Sequence, residues 1–253
     1  MQKQLVPATL LLLIAGEARA DDVQSGAGDK DYNLSVGPGA AIFPTYQGSN
    51  KSRVIPLPVI EGRYGRFFVD TSEGIGVDLY RDDIFRLGAS VTYVAGYDSG
   101  DVPKGINGID DTAGARVFGS VRLDRFTFSV GAVQSIGGTK GLVADAGLSY
   151  YLPLTSSFAL VPSVSTTWAD GKYMDNYFGI SATESVASGL PTFKANSGFK
   201  DASLSLTGIY RVSDRWTVTG NVGATMLFGD ALDTPLNQEK WNPTGFLGLS
   251  YRF

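Results

Sequence analysis

Apolar and polar side chains alternate along most of the chain after residue 31. The clearest run lies within residues 85–97, where every second position is apolar: Phe85, Leu87, Ala89, Val91, Tyr93, Ala95 and Tyr97. Most of the side chains between them are small or polar. A period of two residues is typical of a β-strand with one apolar and one polar face. The pattern therefore predicts an all-β chain.

Similar alternating segments, separated by turn residues, predict about 12 antiparallel strands, with about 10 as the alternative count. Residues 67–71 and 75–80 form one short hairpin in this interpretation. The segment before them, residues 54–61, carries Pro56 and Pro58 on the face opposite its aliphatic side chains. Proline cannot donate a hydrogen bond to a neighbouring strand, so we expect a bulge or a bend there.

The connections between the segments alternate in length. The short ones are residues 81–83, 124–125, 153–157 and 213–215, and the long ones are residues 44–53, 99–111, 169–197 and 229–242. Short periplasmic turns and long external loops are typical of outer-membrane barrels, with both chain ends on the periplasmic side. Aromatic residues near both kinds of connection predict two interfacial girdles. They are Phe85, Phe126, Tyr150, Phe158, Tyr210, Trp216 and Tyr251 near short turns, and Tyr97, Trp168, Phe199 and Phe228 near long loops.

The face opposite the apolar side chains is mostly Gly, Ser and Thr. A soluble sandwich or barrel would carry many Lys and Glu on that face, yet charged residues make up only 18% of this chain. An apolar outside and a small polar inside are what a membrane barrel requires, since every backbone polar group is then paired within the sheet. Residues 32–253 are therefore predicted to form one transmembrane antiparallel up-and-down β-barrel.

Residues 1–20 have the pattern of a cleaved signal peptide. Lys3 precedes an apolar run at residues 5–15, and Ala18 and Ala20 supply the small-x-small cleavage pattern. The run is shorter than the ~20 residues of a spanning helix, and Pro7 interrupts it. Residues 21–31, rich in Gly and Asp, are predicted to be a flexible lead-in. Export by this peptide places the barrel in the outer membrane of a Gram-negative bacterium.

Histidine and cysteine are absent, and the net charge is −4. The chain therefore lacks the commonest general base and all thiol chemistry. The negative charge gives no indication of nucleic-acid binding. An acidic cluster near one long loop has no regular ligand spacing, so we expect it to be solvated: Asp98, Asp101, Asp110 and Asp111. The sequence predicts no enzyme, and no catalytic, cofactor or metal residues.

Several charged residues fall on the inward face by parity. These candidate lumen residues are Arg86, Arg116, Arg122, Asp145 and Arg252. They could form a selectivity site for a solute or an internal salt-bridge network, and a barrel of this size could be open or plugged. In the last strand, Leu249, Tyr251 and Phe253 fall on the lipid side. A closing strand that ends on Phe resembles those read by the outer-membrane assembly machinery.

Several short motifs follow one another in the order typical of one family. They are GPGAAIFPTYQGS at 37–49, Trp168 with YFGI at 177–180, SGLP at 188–191, GDALDTPL at 229–236 and GFLGLSYRF at 245–253. On these motifs the chain resembles the MipA/OmpV family of MltA-interacting outer-membrane proteins, over nearly the whole mature chain. Thr234 departs from the Ser found in many members.

The resemblance implies a non-enzymatic scaffold for murein enzymes. Its partners would be a murein-cleaving lytic transglycosylase and a bifunctional murein synthase, which is a penicillin-binding protein. Outer-membrane lipid and lipopolysaccharide would surround it. Some members are described instead as linked to solute and drug permeability, or as adhesins. A small-solute channel, and an adhesin that acts through residues 169–197, are therefore the alternatives.

Overall fold

The computed structural model describes residues 32–253, which form a closed antiparallel β-barrel of 12 wall strands. The strands are β1 (Tyr32–Pro44), β2 (Ser52–Tyr64), β3 (Phe67–Asp70), β4 (Gly74–Arg81), β5 (Phe85–Val94), β6 (Thr112–Leu123), β7 (Phe126–Ser135), β8 (Leu142–Tyr150), β9 (Leu152–Pro153), β10 (Phe158–Ala169), β11 (Gly198–Arg211), β12 (Trp216–Leu227) and β13 (Trp241–Arg252). The short β9 continues β8, and both pair with β10. The predicted barrel and its strand count are confirmed.

Each wall strand pairs with the next along the chain, and β13 pairs with β1 to close the barrel. One end carries only short turns, and the other carries the long connections together with the shorter β3–β4 and β7–β8 connections, so we call them the short-turn end and the long-loop end. The signal peptide and the lead-in predicted for residues 1–31 lie outside the described residues.

Side-chain exposure follows the predicted alternation. In β1, the even-numbered residues from 32 to 42 are exposed, while the odd-numbered residues between them are at least half-buried. In β5, the exposed Phe85 and Leu87 alternate with buried residues in the same way. Exposed apolar side chains recur on strands around the whole wall, which suits a surface in contact with lipid.

The bulge expected at Pro56 and Pro58 is not present, because β2 pairs with β1 without any register shift. On the other side of β2, β3 pairs only with residues 61–64. The backbone N–H and C=O of Ile60 both bond to the Thr71 hydroxyl, so even-numbered residues of β2 direct their polar groups to that side. The two prolines therefore lie beyond the end of the short β3–β4 hairpin, on the side of β2 that has no paired strand there. Their missing N–H groups break no hydrogen bond between strands.

In the part of the chain that the structure describes, three helices lie at the long-loop end: α1 (Gly171–Phe178), α2 (Ala182–Ser188) and α3 (Asp230–Asp233). Residues 169–197, predicted as a long polar connection, therefore contain two of these helices. Asp170 caps α1 by accepting a hydrogen bond from the backbone N–H of Tyr173, and Ser181 and Glu184 form a reciprocal capping box on α2. These caps stabilise helices too short for periodicity to reveal. Within residues 32–253, no helix is long and apolar enough to span a bilayer.

Candidate functional site: the lumen and its cap

Arg116 on β6 is the centre of the first charge cluster in the lumen. Its Nε donates to Glu73 Oε2 at 2.6 Å, and its Nη1 donates to Asp145 Oδ1 at 2.7 Å. The side chain is 5% exposed. Gly131 lies directly beneath the guanidinium, where a Cβ atom would be 2.5 Å from Nη2, so glycine leaves the space that the cation needs. One buried cation therefore joins the β3–β4 turn to β8.

Arg86 on β5 forms a second cluster closer to the short-turn end. Its Nε donates to Asp78 Oδ1 at 2.7 Å, and Arg63 bonds to the other carboxylate oxygen. The Arg86 guanidinium carbon lies 4.9 Å from the ring centroid of Phe68 and 4.6 Å from that of Phe118. Cations over aromatic faces are attracted to them, more strongly when water is excluded. Side chains thus fill the part of the lumen next to β3–β6.

A β-bulge places two more charged residues side by side in the lumen. The pairing of β10 with β11 shifts by one residue after Thr167, which leaves Lys200 as the extra residue beside Asp201. Lys200 is 3% exposed and Asp201 0%. Lys200 Nζ bonds to Asp201 Oδ2 and donates to Gln47 Oε1 at 3.1 Å. This pair is not among the residues predicted from the sequence, where the available signal was two adjacent charges at the start of the alternation in β11.

The lumen wall of β7, β8, β10 and β11 carries small side chains instead. The strand register aligns them in two rows: Ser129, Gly147, Ser165 and Ser203, and, closer to the short-turn end, Thr127, Ser149, Ser163 and Ser205. This wall borders a cavity with a volume of ≈ 80 Å³. Arg116, Asp145, Lys200, Asp201 and Tyr173 border the same cavity. The lumen is therefore filled on one side and hollow on the other.

The long connections pack together over one end of the barrel. We call this cluster the loop core; its buried residues are Tyr46, Tyr97, Val102, Ile106, Ala169, Tyr173, Met174, Tyr177, Phe178, Ile180, Ala195, Ala231 and Leu236. They come from several separate connections and from the tops of strands. Thr234 Oγ1 donates to the carbonyl of Phe178 at 2.6 Å, which fastens the β12–β13 connection to α1. The loop core covers the lumen at the long-loop end.

Three tyrosines hold the loop core together by hydrogen bonds. Tyr97 Oη donates to the carbonyl of Tyr177 at 3.0 Å, and Tyr46 Oη donates to that of Leu236 at 2.9 Å. Burial raises the pKa of Tyr46 and of Tyr177 from 10.0 to about 12, and raises the pKa of Tyr97 as well. The prediction that Tyr97 belongs to an interfacial girdle is wrong, since it is 5% exposed inside this core.

We expect alkali to open the loop core before it unfolds the barrel. Below pH 10 the tyrosines are neutral whether the core is closed or open, so the loop core keeps its full stability. Between pH 10 and about 12 the opened core ionises while the closed core does not, so stability falls as the pH rises. Near-ultraviolet circular dichroism and tyrosinate absorbance should change together, while the far-ultraviolet strand signal stays. In Tyr46→Phe the change should move to higher pH; an unmoved transition would contradict this assignment.

The remaining residues predicted to face the lumen lie near the short-turn end. Arg252 Nη2 donates to the carbonyl of Asp214 at 3.2 Å, and Arg122 is half-buried on the inner face of β6. On the outside of the same end, Leu249 and Tyr251 are partly exposed and Phe253 is 76% exposed. Of the five predicted lumen residues, the structure thus brings Arg116 and Asp145 into contact, and leaves the other three outside that ion pair.

Two acidic residues of the β5–β6 connection have different partners. Asp101 Oδ2 lies 3.4 Å from Arg53 Nη1, and Asp111 Oδ1 accepts a hydrogen bond from Gly96 N at 2.8 Å. Among residues 32–253, no three acidic side chains are grouped so as to hold a metal ion.

Comparison with known proteins relates the chain to one family. The model of the family described as MltA-interacting protein MipA matches residues 36–253. The MltA-interacting protein of Escherichia coli K12 is 24% identical over 238 residues, which cover 90% of this chain and 94% of that protein. YiaT of Escherichia coli O157:H7, a protein named for the outer membrane, is 25% identical over 234 residues, covering 87% of this chain and 91% of that protein.

Similar solved structures include two porins. The KdgM porin has a TM-score of 0.41 at 7% identity, and covers 88% of this chain and 99% of that one. The NanC porin has a TM-score of 0.40 at 10% identity, and covers 86% of this chain and 98% of that one.

Proposed function

This chain belongs to the MipA family of MltA-interacting proteins, and on that premise we propose that it is a non-enzymatic scaffold for murein enzymes. It is an outer-membrane β-barrel. In this proposal a lytic transglycosylase binds at the short-turn end, and a bifunctional penicillin-binding protein is held beside it. The short turns face the periplasm, where murein lies, and the long connections face outward.

The loop core is the observation that favours a scaffold most. A lumen crossed by the Arg116 cluster and covered by packed aromatic side chains is poorly suited to rapid passage of solutes. Packing and internal ion pairs instead make the barrel a rigid support, whose exposed turns can present a fixed surface to a partner. The absence of histidine fits this proposal, because it removes the commonest general base for enzyme chemistry.

Retention of the lytic transglycosylase on the immobilised barrel in detergent tests the proposal. Arg66 and Arg125 are exposed in two short turns, and Lys172 and Lys194 are exposed cations at the long-loop end. We expect Arg66→Glu with Arg125→Glu to lower retention about tenfold, equivalent to about 1.4 kcal/mol. The matched pair Lys172→Glu with Lys194→Glu should leave it unchanged. No retention by the wild-type barrel would exclude the scaffold, and the reverse pattern would place the docking surface at the wrong end.

A small-solute channel is the second candidate, and the hollow serine-rich side of the lumen favours it. Conductance in planar bilayers separates the two functions. The scaffold predicts a closed barrel without a steady current. Steady open currents combined with no retention of murein enzymes would favour the channel.

An adhesin would act through the outward surface of residues 169–197. Since α1 belongs to the loop core, deleting the whole segment would also disturb the cap. The helix α2 has no buried residue, and Val186 in it is 89% exposed. Replacing α2 alone by a flexible Gly/Ser segment is therefore the cleaner test of cell adhesion.

A further inference from the structure

Two buried oxygen atoms that border the lumen cavity lack a hydrogen-bond partner among the described residues. They are Asp201 Oδ1 and Thr167 Oγ1. Asp201 is 0% exposed and Thr167 is 9% exposed, and the two residues are directly paired across β10 and β11. Burying a polar atom without a partner costs roughly 1–3 kcal/mol, and more for a charged group. Such atoms at a cavity wall are therefore candidates for contact with a bound molecule.

The β-bulge prepares this carboxylate for a ligand. Because the bulge inserts Lys200 beside Asp201, Lys200 takes up only Oδ2 and leaves Oδ1 without a partner at the cavity wall. Lys200 itself is fixed by Gln47 at 3.1 Å. Bulges are common next to functional sites because they redirect a side chain. A regular β11 would have one of these two charges facing the lipid.

The charges around the cavity favour a neutral ligand. Lys200 and Arg116 would repel an added cation, whereas the three carboxylates of Glu73, Asp145 and Asp201 would repel an added anion. Hydroxyl groups suit the site, since they can donate to a carboxylate oxygen and accept from a threonine hydroxyl. Other hydroxyls line the same cavity from Ser129, Ser149, Ser163 and Ser165.

The size of the cavity limits the ligand. On the same measure of volume, one water molecule needs roughly 10–15 Å³. The ≈ 80 Å³ present therefore holds several waters or one molecule of about monosaccharide size. The buried Tyr173 borders the cavity on the side of the loop core, which closes that direction. The rows of serines extend toward the short-turn end, which leaves that side for entry.

We propose that this cavity is a binding site for a neutral, hydroxyl-rich small molecule of about monosaccharide size. Adjacent hydroxyls of the ligand would donate to Asp201 Oδ1 and accept from Thr167 Oγ1. The site does not depend on the scaffold function, and it lies inside the barrel rather than on the docking surface.

The test is a titration of the full barrel in detergent micelles with glucose, galactose, mannose and myo-inositol, followed by saturation-transfer NMR. At least one of these should bind wild type, and Asp201→Asn and Thr167→Val should each weaken that binding about tenfold or more, which is about 1.4 kcal/mol. The matched controls Asp214→Asn, in an exposed turn, and Thr219→Val, in the lumen wall away from the cavity, should bind as wild type.

Thr167→Val decides the result if Asp201→Asn does not fold. This variant removes an unpartnered hydroxyl and keeps the Lys200–Asp201 pair, so it should fold at least as well as wild type, judged by heat-modifiable gel migration. Failure of all four probes to bind wild type would overturn the proposal. So would unchanged binding in Thr167→Val, or a response to methylammonium alone, which would indicate a cation site.

Discussion

Replacing Arg116 by methionine is expected to destabilise the folded barrel by about 3 kcal/mol, because it leaves two partly buried carboxylates, 14% and 21% exposed, without their cation. Arg116 is 5% exposed, and its bonds to Glu73 and Asp145 are 2.6 and 2.7 Å long. Methionine fills much of the same volume, so the loss of stability measures the effect of the unpaired carboxylates rather than that of a cavity. Urea unfolding in detergent micelles, followed by tryptophan fluorescence, measures the change.

Two comparisons show whether the unpaired charges cause that loss. Arg125→Met removes a cation from an exposed turn, and should change the free energy of unfolding by less than about 0.5 kcal/mol. The triple variant Arg116→Met, Glu73→Gln, Asp145→Asn removes the charge imbalance, and should recover a large part of the stability. If the triple variant is no more stable than Arg116→Met, packing of the guanidinium over Gly131 is the dominant contribution instead.

The alternation of side chains predicted the wall of the barrel because a sheet permits only one assignment of faces. Once Leu34, Leu87 and Val117 face the lipid, every second residue of β1, β5 and β6 must face inward. Arg86 and Arg116 could be placed on the inner face for that reason alone. The short and long connections gave the order of the strands, since each short turn makes neighbours antiparallel.

The partners of these residues could not be predicted, because they depend on register between strands that are far apart in sequence. Glu73 reaches Arg116 from a turn that folds toward the lumen, and nothing in the local sequence indicates that direction. Lys200 is buried because one residue is inserted in β11, a change that breaks the period of two on which the prediction rests. Local periodicity predicts the face of the sheet on which a side chain lies, but it does not predict which residues that side chain contacts across the lumen.

The loop core escaped prediction for a different reason. Its members come from separate connections, each of which looks polar on its own, and α1 is only 8 residues long. A helix of that length is stable only through tertiary contacts. Tyr173 and Phe178 are each 1% exposed, and they supply such contacts. The sequence around α1 contained the cap Asp170, but not the surface against which the helix packs.

Phe253→Asp is expected to reduce the amount of assembled barrel about tenfold, because it places a carboxylate on the lipid side of the closing strand. Phe253 is 76% exposed, and its ring lies 5.0 Å from that of Tyr251, which in turn lies 4.9 Å from that of Trp216. These three rings form an aromatic cluster on the outside of the short-turn end. Aromatic rings are favoured at the membrane interface, and each ring contact adds about 0.5–1.5 kcal/mol beyond the area it buries.

Arg252→Ala is the matched control, since its side chain lies on the opposite face and donates to the carbonyl of Asp214. It should assemble almost normally, because positions on the lumen face tolerate such changes. Heat-modifiable migration of the protein in outer-membrane fractions measures assembly, and periplasmic degradation accounts for what is lost. The backbone N–H of Phe253 still bonds to the carbonyl of Leu34 at 3.0 Å, so β13 keeps its register in both variants. Good assembly of Phe253→Asp together with loss of Arg252→Ala would mean that the two faces of β13 are exchanged. Because a shift of one residue reverses every side chain, the inward assignments of the neighbouring strands would then be reversed too.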